Sequence, residues 1–131
     1  MPTFTRITPR LPVADFQRSL AFYRDTLGFC VNLLWPEENP TFAILDREGV
    51  SIGVFVPTPE YPVQIGYAEL YLETTDVQSL HDDLKGRLPI EWGPDVYSYG
   101  RREFAVRDPD GYLIIFTEET SDPPTTGEPG E

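Results

Sequence analysis

The sequence predicts an α+β fold built from two copies of a βαβββ module. Three observations predict it. One stretch is stated twice: "FAILDREGVSIGVFV" runs from Phe42 to Val56, and "FAVRDPDGYLIIFTE" runs from Phe104 to Glu118. The segments that open each half also match, "LPVADFQRSLAFYRDTLGF" from Leu11 and "LYLETTDVQSLHDDLKGRL" from Leu70. The two copies keep their spacing, since setting Asp15 on Asp76 gives 76−15=61 and setting Gly49 on Gly111 gives 111−49=62.

Each element has a local reason. Asp15 suits a helix N-cap, because its carboxylate can accept from free N–H groups of the first turn. Phe16, Leu20, Phe22, Tyr23 and Leu27 follow at approximate helical spacing, and Gly28 suits a left-handed C-cap. Residues 41–46 and 50–56 read as a hairpin. In the second half Asp76 is the N-cap, and Val77, Leu80 and Leu84 form the apolar stripe. Residues 101–107 and 112–118 read as a second hairpin around Asp108-Pro109-Asp110-Gly111, where Pro presets φ and Gly tolerates positive φ.

The expected organisation is one domain over 1–120. Module one spans 3–57, a Pro-rich linker spans 58–65 and module two spans 66–119. From Ser121 the chain reads "SDPPTTGEPGE", an acidic, Pro-rich stretch without a large apolar residue, expected to be a disordered tail over 121–131.

Composition narrows the function. The 131 residues are 40% hydrophobic and 13% aromatic, enough for a packed core in one compact domain. The formal net charge of −12 opposes binding to nucleic acid or to anionic membranes. No apolar run approaches the roughly 20 residues of a spanning helix, so a cytoplasmic protein is expected. The single cysteine, Cys30, can form neither an internal disulfide nor a cysteine cluster, and its apolar surroundings read as a buried structural thiol.

The paired modules, opened by "LPVADFQRSLAFYRDTLGF" and closed by "REFAVRDPDGYLIIF", resemble the vicinal oxygen chelate superfamily. That superfamily includes glyoxalase I, extradiol dioxygenases and the fosfomycin and bleomycin resistance proteins. The resemblance covers residues 4–118, and "GRREFAVRDPDG" is most similar to the bleomycin resistance branch. It implies a cup-shaped mixed sheet with helices on its outer face, a ligand held in the cup, and a homodimer.

The superfamily's enzymes bind a divalent metal through His, Gln or Glu, on the first and last strands of each module. By the resemblance these positions fall at Thr8, Gly53, Glu69 and Ile115. Only Glu69 carries a strong donor, and one carboxylate does not hold a catalytic metal. The one histidine, His81, is expected to face solvent on the second helix. No metal, cofactor or catalytic residue is therefore assigned.

Strand alternation then predicts which residues line the cup. Arg6, Thr8 and Arg10 share a face, as do Ser51, Gly53 and Phe55. So do Glu69, Tyr71 and Glu73, and Leu113, Ile115 and Thr117. Trp35, Trp92, Tyr97 and Tyr99 fall in less regular segments that suit a rim. The ligand-binding set is Trp35, Phe55, Glu69, Tyr71, Trp92, Tyr99, Arg102 and Ile115. A mainly aromatic cup with a few polar anchors suits a planar compound, and Glu69 and Glu73 beside Tyr71 suit a cationic one.

The reading is a metal-free protein that sequesters a small planar or cationic compound. Two alternatives stand beside it: a metal-dependent lyase, isomerase or dioxygenase of the same superfamily, and a structural or regulatory dimer whose aromatics are ordinary core and dimer contacts.

Overall fold

A computed structural model describes residues 1–64 and 68–126. The chain divides into two compact units, Met1–Gln64 and Ile65–Glu131. The expected linker end and the start of module two, at 65 and 66, lie outside the described residues.

The first unit contains β1 (Arg10–Pro12), α1 (Phe16–Ala21), a π-helical turn (Phe22–Thr26), β2 (Cys30–Trp35), β3 (Phe42–Arg47) and β4 (Val50–Phe55). Its sheet has the order β1-β4-β3-β2, with β1 parallel to β4 and the other pairs antiparallel. The second unit repeats the plan with β5 (Glu69–Glu73), α2 (Val77–Leu84), β6 (Trp92–Tyr97), β7 (Arg101–Arg107) and β8 (Leu113–Glu119), in the order β5-β8-β7-β6. The expected βαβββ order therefore holds in both halves. Each sheet has one face covered by its helix and one face free of it.

The predicted caps form. The Asp15 carboxylate accepts from the Arg18 backbone N–H at 3.0 Å, and the Asp76 carboxylate accepts from that of Ser79 at 3.2 Å. The single helix expected through Leu27 instead widens after Ala21. The Leu27 N–H reaches back five residues to the Phe22 carbonyl at 3.1 Å. Tyr23 and Leu27 are both buried by this arrangement, at 1% and 4% exposed.

The helix-covered faces form the cores. In the first unit Leu11, Val13, Leu20, Ala43, Leu45, Ile52 and Val54 are buried. In the second, Val77, Leu84, Phe104, Val106, Ile114 and Phe116 are buried. His81 packs at the margin of this second core, which corrects the expectation of a solvent-facing ring. Its side chain is 15% exposed and stands edge-on to Phe104 at 5.3 Å. Helix α2 turns that side of the "SLHDDLK" stretch toward the sheet.

One further expectation is corrected. Cys30 is exposed, because β2 is the outer strand of its sheet and all six of its residues reach solvent. The described part of the stretch from Ser121 hydrogen-bonds with β6. The Thr125 and Thr126 N–H groups donate to the Val96 carbonyl at 2.7 and 3.1 Å, and the Val96 N–H donates to the Thr125 hydroxyl at 2.8 Å. β6 is an edge strand with free backbone groups, and those groups hold the chain. Residues 127–131 of the expected tail lie outside the described residues.

Candidate functional site

The open face of the second unit carries an acidic and hydroxylated cluster. Two rows of residues cross it. Glu73, Thr117, Glu103 and Asp95 are neighbours along one row, and Tyr71, Ile115, Ala105 and Trp92 along the next. Strand alternation, with a register irregularity between Trp92 and Asp95 in β6, puts all of them on the side away from α2.

Glu103 is the centre of the cluster. It is 1% exposed, an unusual position for a carboxylate. Burial of such a group requires hydrogen-bond partners. The Tyr99 hydroxyl donates to Oε1 at 2.7 Å. The Thr117 hydroxyl donates to Oε2 at 2.8 Å, and the Tyr71 hydroxyl donates to the same oxygen. Gly93 fixes the backbone beside it. Its φ is +84°, and a Cβ there would sit 2.4 Å from the Glu103 carbonyl oxygen, so a side chain is excluded.

The two phenols are pinned while their rings stay open to solvent. Tyr71 is 48% exposed and Tyr99 is 49% exposed. The Tyr99 ring stacks on Tyr97 with centroids 5.7 Å apart and planes 7° from parallel, and Trp92 stands edge-on to Tyr97 at 6.0 Å. Burial and the bond to Glu103 push both phenols above the usual tyrosine range. A surface tyrosine ordinarily swings freely. These two are held as fixed rings by a buried charge. A groove of about 450 Å³ adjoins Tyr99, lined by Gly100, Arg101, Glu119, Thr120 and Ser121.

Arg101 completes the cluster. Its guanidinium bonds Glu73 at 2.8 Å and lies 5.8 Å from the Tyr71 ring centroid. The expected site for a cation, two carboxylates beside an aromatic ring, thus already contains a cation of the chain itself.

The first unit's open face is different. The Arg10 guanidinium lies over Phe42 at 4.6 Å and over Phe55 at 5.2 Å. Trp35 is opposite Phe42 across the β2–β3 ladder and is 62% exposed. Arg6 pairs with Asp46 at 3.1 Å. Hydrogen bonding, first with Ser51 and then with Asn32 and Arg6, holds the Asp46 carboxyl below its usual range against an opposing effect of burial.

The expected ligand-binding residues fall in three places. Tyr71, Tyr99, Trp92 and Ile115 meet on or beside the second unit's open face, with Glu69 exposed at its rim at the start of β5. Trp35 and Phe55 belong to the first unit. Arg102 lies on the helix-covered side, since it pairs across the ladder with Val96 and Glu118. There it bridges Glu118 and Asp122, and Glu118 in turn accepts the Val77 N–H at 2.6 Å at the start of α2. Its expected place is taken by its neighbours Arg101 and Glu103. Glu103 and Thr117 complete the cluster. Alternation along β7 would have found Glu103, which stands two residues before Ala105, the partner of Ile115.

The superfamily's metal positions do not fit an ion here. The Thr8 hydroxyl donates to Ser51 at 2.8 Å. Gly53 offers no donor, and a Cβ there would meet Arg10 Cγ at 3.1 Å, so a cationic side chain crowds the slot. Glu69 stands opposite Leu113, and Ile115 is apolar. No three His, Cys, Asp or Glu side chains among the described residues converge on a common point.

Comparison with known proteins agrees with this architecture. Residues 4–116 match the family model of the Glyoxalase/Bleomycin resistance protein/Dioxygenase superfamily. A bleomycin resistance protein from Geobacillus stearothermophilus is 30% identical over 128 residues, covering 85% of this chain and 94% of that one. Among solved structures, the Streptomyces antibiotic binding protein TnmS3 superposes with a TM-score of 0.75 at 22% identity, covering 92% of this chain and 100% of that one. A lactoylglutathione lyase from Agrobacterium tumefaciens superposes with a TM-score of 0.72 at 18% identity, covering 88% of this chain and 95% of that one. At these identities the two structures establish the fold alone.

Proposed function

The chain belongs to the Glyoxalase/Bleomycin resistance protein/Dioxygenase superfamily, and from that premise we propose that it is a metal-free binding protein that sequesters a planar small molecule by stacking. The observation that carries the reading is the pair of half-exposed rings, Tyr71 and Tyr99, whose hydroxyls are tied to buried Glu103. Rings held in place before a ligand arrives lose little freedom on binding, so more of the stacking energy appears as affinity. The likeness to a bleomycin resistance protein and to an antibiotic binding protein supports small-molecule capture. The unsuitable donors at Thr8, Gly53 and Ile115 support its doing so without a metal. A homodimer is part of the reading, supported by the exposed apolar edge strand β2.

The test is calorimetric titration of a neutral planar probe, 2-naphthalenemethanol, and of cationic bleomycin into wild type, Tyr99→Phe and Tyr99→Ala. Tyr99→Ala is expected to lose most of the neutral probe's affinity, and Tyr99→Phe, which keeps the ring and loses its anchor, an intermediate share. Equal affinity in all three proteins would remove the platform from the function. Tight bleomycin binding that outlasts loss of the neutral probe would favour the cationic version of the ligand.

A further inference from the structure

We propose that the open face of the first unit is a binding site for an aromatic carboxylate, with Arg10 as the anchor for its charge. The site rests on the first unit alone and does not depend on the Tyr71–Tyr99 platform.

Two aromatic rings hold the Arg10 guanidinium, with Phe42 at 4.6 Å and Phe55 at 5.2 Å from its carbon. Rings attract a guanidinium through their faces and leave its N–H edges free. Among the described residues no carboxylate pairs with Arg10. That is notable in a chain with 22 acidic and 10 basic residues. The other arginine on this face, Arg6, is already satisfied by Asp46. Arg10 is exposed, positioned and free to form the paired N–H···O bonds that a carboxylate accepts.

The surroundings supply a place for the ring of such a ligand. Phe55, Phe42 and Trp35 are successive neighbours across β4, β3 and β2, and Leu33 and Ile44 form the next row beside them. Trp35 at 62% and Leu33 at 41% remain exposed. Gly53 lies under Arg10, where a Cβ would come within 3.1 Å of Arg10 Cγ. The absent side chain leaves the arginine room to lie flat against the rings. The matching positions in the second unit, set by strand register, are Tyr71 for Arg10, Glu103 for Phe42 and Thr117 for Phe55. One unit therefore offers a cation on rings where the other offers hydroxyls on a carboxylate, so the cradle is not a by-product of the repeated fold.

The experiment titrates full-length protein with 2-naphthoate, with 2-naphthalenemethanol, which has the same ring and no charge, and with 2-naphthylmethylammonium. Wild type is expected to bind the carboxylate at least tenfold more tightly than the alcohol, and the ammonium most weakly. Arg10→Gln should abolish the preference and leave alcohol binding in place. Gly53→Ala keeps the charge but displaces the arginine, and should weaken naphthoate severalfold with an unchanged circular dichroism spectrum. The proposal is overturned if naphthoate fails to bind, binds no better than the alcohol, or keeps its preference in Arg10→Gln. Tyr99→Ala separates this site from the platform. A surviving naphthoate preference with reduced alcohol affinity in that variant supports two sites, and loss of the preference overturns an anchor at Arg10.

Discussion

The Tyr99 hydroxyl donates a 2.7 Å hydrogen bond to Glu103, a carboxylate that is 1% exposed, from a ring that is itself 49% exposed. The bond links the interior of the second sheet to its open surface. Its loss should be felt in stability before any ligand is added. In Glu103→Gln one of the two acceptor oxygens becomes an NH₂ group, which faces hydroxyls that can no longer all donate. A buried charged hydrogen bond contributes about 1.5–3 kcal/mol. Urea denaturation should therefore place Glu103→Gln about 1–3 kcal/mol below wild type. A difference within a few tenths of a kcal/mol would mean that the carboxylate is not held as described.

The same bond sets an alkaline limit. Tyr99 and Tyr71 are both raised, first by burial and then by hydrogen bonding to Glu103. A group raised in the folded state contributes stability fully below its unfolded pKa, and that contribution fades as pH climbs through the folded value. The unfolded value of tyrosine is about 10. Stability should thus hold to about pH 10 and fall above it. Ultraviolet titration of wild type against Tyr99→Phe would check this. The difference spectrum should show a phenol that ionises later than free tyrosine, and ionisation at the ordinary value would contradict the geometry.

Much of the fold was legible because the signals that set it are local. Asp15 and Asp76 cap helices wherever a helix begins, and the glycines mark turns. Which side of the sheet a residue faces was harder, and Phe42 and Phe104 illustrate why. They occupy the same place in the repeated stretch, yet Phe42 lies under Arg10 on the open face and Phe104 packs against His81 on the covered face. The cause is hairpin length. Arg47 pairs with Val50 across a two-residue turn, whereas Arg107 pairs with Leu113 across five residues. Alignment follows the sequence, but facing follows register, and a shift of one residue inverts it. Tyr71 and Tyr99 could be singled out as exposed aromatics. Glu103 could not be found by composition, since what distinguishes it is burial.

Removal of the terminal segment should be costly. Thr125 and Thr126 together satisfy the Val96 N–H and carbonyl, and Asp122 pairs with Arg102. Each backbone bond contributes about 0.5–1.5 kcal/mol net. A chain ending at Thr120 should melt several degrees lower than the full chain by calorimetry. An unchanged melting temperature would mean that the segment adds nothing to the edge of β6.

Protein purified without chelator should carry well under one divalent ion per chain by elemental analysis, and added zinc, nickel or manganese should not raise its melting temperature. The reason is the donor set, with Thr8 bonded to Ser51, Gly53 crowded by Arg10 and Ile115 apolar. A stoichiometric ion, or a large stabilisation by one metal, would restore the metal-dependent enzyme as the better reading.

The last expectation concerns the edge strand β2. Val31, Leu33, Leu34 and Trp35 are 37%, 41%, 38% and 62% exposed, and no strand of the described residues pairs with the outer side of β2. Edge strands that remain single are commonly blunted by charge, and the sequence CVNLLW has none. Val31 and Leu34, which pair with Leu45 and Ala43, face away from the Arg10 cradle, so a second chain could bury them and leave that cradle open. We expect a homodimer that covers this strand, with light scattering giving twice the chain mass at micromolar concentration. Val31→Asp and Leu34→Asp should each shift the protein toward monomer, because a carboxylate buried in the contact would lack a partner. Monomer mass for wild type at that concentration rules the dimer out. A dimer that survives both substitutions moves its contact to a different surface of the chain.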